Sequence, residues 1–315
     1  MNSELFVKTV KIGAFDEAQK QMSNFSDQKI RDTLYLIASH DSNICSYAFA
    51  LFLISTEKSV LFHGFASLIT EMGICYLKGA YEASAYHARV IFELSRLNDP
   101  TNDGGIFCLC GYPERPIRAE EAVAVAHEIL VHDPNNKFAL EVINESAEWV
   151  EDPLVPPRNE SEQLEQYIIA GKFTQAKELL SAVSTRELYA MLLCLGCEER
   201  NLCAYAFTWY LMQEKEEAEL HYLAYRIVTL AYPRNMNGCD AVGLFHLRRA
   251  MALDHENEKY VEHFLMLHTP AMGPTPLISD DEAEKIAKQS IERDNCNMVA
   301  TNLLKKLGRH DSKYD

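Results

Sequence analysis

Positive charge is scarce in this chain of 315 residues: 30 Lys and Arg face 46 Asp and Glu, a net of −16 with histidine neutral. Gripping nucleic-acid phosphates takes Lys and Arg to displace counterions, and docking on anionic lipid takes them too, so neither partner is expected. Glycine and proline are also sparse, at 13 and 11 residues, while 48% of the chain is hydrophobic. That excludes a disordered or collagen-like polymer and leaves enough apolar surface for a sizeable core. Long apolar runs are missing. The apolar, weakly charged stretch from Ile44 to Thr56 is shorter than the roughly 20 residues a membrane-spanning helix needs. Glu4, Lys8 and Lys11 interrupt the first dozen residues, so these read as no secretory core. The expectation is a cytoplasmic protein with no membrane segment.

The usual chemical motifs are absent as well. There is no Gly-rich phosphate loop, no His-Glu-x-x-His helix and no Gly-x-Ser-x-Gly elbow; Asn102-Asp103-Gly104-Gly105 reads as a turn after Asp-Pro. Nine cysteines, an odd number, sit mostly within apolar helical patterns and fit a reducing compartment. Cys194-Leu195-Gly196-Cys197 lacks the second ligand pair that zinc requires, so packing is the preferred reading there. No catalytic residue, metal site or cofactor is therefore expected, and the chain is read as no enzyme.

What the sequence does contain is itself, twice. A shift of 158 residues places Asn43, Cys45, Tyr47, Ala48, Phe49, Leu53, His63, Ala66 and Ile69 on Asn201, Cys203, Tyr205, Ala206, Phe207, Leu211, His221, Ala224 and Ile227. Average composition would give roughly two such matches. Farther along the offset grows, and at 161 Glu121, Ala122, Ala126 and Asp133 fall on Glu282, Ala283, Ala287 and Asp294. The predicted organisation is an N-terminal half, residues 1–150, a Pro-rich linker, 151–158, and a C-terminal half, 159–315. Apolar residues recur at three and four positions, as in Ala122, Val125, Ala126, Ile129 and Leu130, with no sustained period of two. The fold class is all-α. Ser26 before Asp27 and Ser279 before Asp280 are the expected N-caps.

Several segments share a Gly, an aromatic two positions on, a later small residue, and an Asp-Pro-Asn-like stop. Gly79, Tyr81 and Ala83 run to Asp99 and Pro100; Ala122, Ala126 and Leu130 run to Asp133-Pro134-Asn135; Gly13 with Phe15 and Gly171 with Phe173 carry the opening part. These residues resemble degenerate tetratricopeptide-like helical repeats. The resemblance implies an α-solenoid of stacked helical hairpins, and it implies no ligand-binding residues, because the first helices that would hold them do not match.

Acidic residues cluster: eight lie between Glu141 and Glu165, against Arg158 alone. Glu141, Glu145 and Glu148 share one helix face, and Glu151 and Asp152 follow. These five residues are the candidate partner-binding site. The expected function is a non-catalytic scaffold binding a basic protein or peptide, as an inhibitor or immunity-like neutralising partner. The alternative is a regulator controlled by a ligand or peptide in the groove between the halves. His63 and His221 occupy equivalent places and read as satisfied structural histidines. His87 with Arg89 and His246 with Arg248 either line a groove or cover an exposed helix face.

Overall fold

A computed structural model describes residues 3–112, 114–146, 149, 156–232, 236–268, 277–294 and 297–308. Eighteen α-helices run through them. The N-terminal half contains α1 (Ser3–Lys11), α2 (Phe15–Met22), α3 (Asp27–Ser39), α4 (Cys45–Thr56), α5 (Val60–Leu68), α6 (Ala80–Ser95), α7 (Ile106–Cys110), α8 (Ala119–His132) and α9 (Lys137–Ser146). The C-terminal half opens with α10 (Glu160–Ile169), α11 (Phe173–Glu178), α12 (Thr185–Leu193), α13 (Leu202–Glu214) and α14 (Ala218–Ala231). It ends with α15 (Cys239–Leu253), α16 (Glu258–Met266), α17 (Asp280–Arg293) and α18 (Met298–Lys306). Among the described residues there is no strand, only an isolated bridge between Asn43 and Asn237. The all-α expectation holds. Residues 151–155 of the Pro-rich segment and residues 269–276 lie outside the described residues, as does Cys296.

The helices start where the sequence signals them. Ser26 Oγ accepts from Lys29 N at 3.3 Å and Ser279 Oγ from Glu282 N at 3.2 Å, each satisfying an otherwise orphaned first-turn donor. A reciprocal Ser184–Glu187 capping box opens α12. One apolar core takes residues from both sides of segment 151–158, with α4 and α13 at its centre, and two smaller cores lie under α6–α9 and α14–α18. Centrality changes α4. Its apolar residues suggest a stripe one face wide, yet every residue from Cys45 to Ile54 is buried, because helices of both halves cover it.

The contacts between the halves come in matched pairs. Ile44 N donates to Asn237 O at 3.1 Å, and Leu202 N to Lys78 O at 2.8 Å. Asn43 Oδ1 accepts from Cys45 N and Asn201 Oδ1 from Cys203 N, both at 2.9 Å. Gly238 (φ +85°) and Gly79 (φ +81°) lie against those two asparagines so closely that a Cβ would sit 2.2 and 2.0 Å from their Oδ1 atoms. Only glycine meets both demands. Phe15 packs on Phe245 at 4.7 Å between ring centroids and Phe173 on Tyr86 at 4.4 Å. Even the left-handed residues correspond, Ser42 (φ 46°) with Arg200 (φ 56°).

Candidate functional site

α9 begins at an Asn136 cap, whose Oδ1 accepts from Ala139 N at 3.1 Å. Its small inner residues Ala139 and Val142 are buried against α8, which turns the carboxylates of Glu141 and Glu145 outward, where both are exposed. Neither forms an ion pair with a described residue. Glu148, Glu151 and Asp152, the other three candidate residues, lie outside the described residues. Beside the two glutamates is a cavity of about 330 Å³, walled by Phe107 and Cys108 of α7, Phe138 and Val142 of α9, and Trp149. Phe138 is 72% exposed. Asp103 stands on the rim and holds α7 in place, accepting from Phe107 N at 3.0 Å. Burial raises the Cys108 thiol above its ordinary value, and the charges of Asp103 and Glu71 push it the same way. The groove is therefore apolar at its floor and electronegative at its edge. Its aromatic wall was not legible in the sequence, because Phe107, Phe138 and Trp149 come from three separate segments.

The histidine pairs at equivalent positions of the two halves form buried chains. In the N-terminal half Tyr47 OH lies 3.2 Å from His87 Nε2, and His87 Nδ1 lies 2.9 Å from His63 Nδ1. In the C-terminal half Tyr205 OH lies 3.0 Å from His246 Nε2, and His246 Nδ1 lies 2.9 Å from His221 Nδ1. There the chain continues, with His221 Nε2 2.9 Å from Glu216 Oε1. The carboxylate fixes the direction of every proton: His221 donates Nε2–H to Glu216, His246 donates Nδ1–H to His221, and Tyr205 donates to His246. Burial lowers all four histidines below their ordinary range and the second imidazole of each pair adds to this for His87 and His246. Neutral, solvent-free imidazoles at these distances hold α4, α5 and α6, or α13, α14 and α15, together. His87 and His246 are fully buried rather than on an exposed face, while Arg89 and Arg248 turn to Glu121 and Glu282.

Cys194 also departs from the sequence reading. The helix widens to a π turn over Cys194–Glu198, burying Leu195 and Gly196 and leaving Cys194 exposed instead of in the core. The eight described cysteines are free thiols. Among the described residues no three His, Cys, Asp or Glu side chains are placed to share a metal ion, and no helix is long and apolar enough to cross a membrane.

A second cleft, of about 190 Å³, lies between the halves, with Phe52 of α4 facing Trp209, Glu216, His221 and Arg249. Its polar groups are committed to one another, since Arg249 grips Glu216 through Nε at 2.9 Å and a terminal nitrogen at 2.8 Å. No protein-family model, curated protein or solved structure matches the chain.

Proposed function

We propose that the protein is a non-catalytic, cytoplasmic binding scaffold built from two duplicated halves of tetratricopeptide-like helical hairpins, and that it takes a basic protein or peptide at the α7–α9 groove. The carrying observation is the pair of exposed, unneutralised carboxylates, Glu141 and Glu145, on the rim of an apolar groove with Phe138 open to solvent. An aromatic or aliphatic anchor in the groove supplies desolvation energy, and Lys or Arg beside it meets the rim. In a chain of net charge −16 the long-range field also favours a positive partner. Such a partner is one whose own basic surface the scaffold occupies and neutralises. The reading of the inter-half cleft as a regulator's groove has less support, because its Glu216, Arg249 and His221 are mutually satisfied.

Affinity capture from the native cell, followed by association kinetics with the captured protein, tests this. Changing Glu141 and Glu145 together to Lys should slow association tenfold or more at low salt, and added salt should slow the unmodified chain likewise. Phe138→Ala should speed dissociation. A partner whose association ignores both the charge reversal and added salt, and whose dissociation ignores Phe138→Ala, would show that the acidic face is only solvated surface.

A further inference from the structure

The α7–α9 groove joins two features that seldom meet by accident. Three aromatic side chains, Phe107, Phe138 and Trp149, wall the same cavity as three carboxylates, Asp103, Glu141 and Glu145, and no Lys, Arg or His stands among the described residues that line it. Phe138 is the one exposed phenylalanine of the fourteen in the chain. Trp149 already draws a cation to its ring, with the guanidinium carbon of Arg115 5.8 Å from the centroid. An aromatic face is electron-rich and attracts positive charge, most strongly where water is excluded. Rings and carboxylates together therefore favour a cation inside the groove as well as beside it.

The remaining walls decide which cation. A guanidinium brings five N–H donors and a lysine ammonium three, and each needs an acceptor once water is removed. The floor supplies few. Phe107 and Val142 have no polar side-chain atom, and Cys108 has only a thiol, a weak acceptor. Both oxygens of Asp103 already accept backbone donors, from Gly105 N at 3.2 Å and from Phe107 N at 3.0 Å, and Asn136 Oδ1 accepts from Ala139 N at 3.1 Å. Glu141 and Glu145 are exposed, so they act at the mouth, where their charge is hydrated. A quaternary ammonium fits these walls best: it carries the full positive charge and has no N–H to leave unsatisfied. The volume of about 330 Å³ is at the small end for a ligand pocket, which suits one side chain rather than a folded segment.

We propose that the groove holds the head of a trimethylated lysine on the basic partner, against Phe107, Phe138 and Trp149, with Glu141 and Glu145 balancing its charge. This rests on the reading of the groove as the partner's site and adds what the groove recognises there.

The test is a titration of the full chain with a short peptide carrying one central lysine in three forms: unmodified, trimethylated, and a neutral isostere with carbon in place of the quaternary nitrogen. Only two tryptophans are present and Trp209 is 2% exposed, so the indole N–H signal of Trp149 in NMR is the reporter. The expected result is a saturable shift with the trimethylated peptide, and binding at least tenfold weaker for the other two. Phe138→Leu keeps an apolar side chain at an exposed position and removes the ring face; it should weaken the trimethylated peptide tenfold or more with Tm unchanged. Equal binding of the neutral isostere, equal binding of unmodified lysine, or no loss in Phe138→Leu would each overturn the proposal, as would no saturable shift with any form. Choline bound more tightly than the trimethylated peptide would overturn the partner as the source of the cation. None of these outcomes touches the scaffold reading, which the Glu141 and Glu145 charge reversal against the captured partner decides separately.

Discussion

Asn43 and Asn201 each do two jobs with one side-chain oxygen: they accept the first free N–H of α4 or α13 and press against a left-handed glycine of the other half. Replacing Asn201 by Ala should cost about 1–2 kcal/mol, the worth of a lost cap. Gly79→Ala should cost more, about 2–4 kcal/mol, since it adds strain at φ +81° and displaces the Asn201 oxygen; urea unfolding of the two variants gives the order. The histidines predict a pH dependence. Burial and Lys58 take His63 down to about 3, and burial lowers His87 and His246 as well, whereas the unfolded chain takes up these protons near pH 6.5. Between about pH 6.5 and 3 the unfolded state holds more protons, so stability is full above that window and falls as the pH falls through it. Melting temperatures measured from pH 8 to pH 4 should be level at first and then decline below about 6.5; a level profile down to pH 4 would contradict buried neutral imidazoles.

At the scale of elements, matched arginines make unequal joints. Arg89 of α6 holds Glu121 of α8 with Nε at 2.5 Å and also donates to the carbonyls of Ala170 and Gly171 at 3.1 Å, tying three segments together. Arg248 of α15 reaches Glu282 of α17 at 3.0 Å and is 44% exposed against 17% for Arg89. Arg89→Met should therefore cost about 3 kcal/mol by leaving Glu121 and the carbonyls without their donor, and Arg248→Met less than about 1 kcal/mol; denaturant midpoints of the two variants decide. Helix starts and the pairing of Ala122 with the Asp133 stop were legible in the sequence because caps and stripes are local. The all-round burial of α4 was not, since its residue pattern does not state how many neighbours will cover it. The π turn at Cys194 was not legible either, as it follows from fitting Gly196 against Ile227, where a Cβ would lie 2.8 Å from a side-chain carbon.

Across the whole molecule, a single core spans the segment that joins the halves, so the joining peptide is not what holds them. A protease site engineered into residues 151–155 should yield, after cutting, two fragments that still co-elute and melt in one transition; separation of the fragments on a sizing column would refute this. The acidic half of the candidate site was readable from Glu141 and Glu145, while its apolar floor depended on α7 and α9 meeting in space. The paired contacts carry one more consequence. Each half offers the other a surface that answers to its own counterpart, Asn43 to Gly238 and Asn201 to Gly79, which is the logic of a two-fold dimer folded into one chain. Such a surface does not distinguish its own partner half from that of a neighbouring molecule. When the chain refolds at high concentration, two molecules can exchange halves and rebuild every contact between them, giving a domain-swapped dimer whose return to monomer on dilution requires the central core to open and is correspondingly slow.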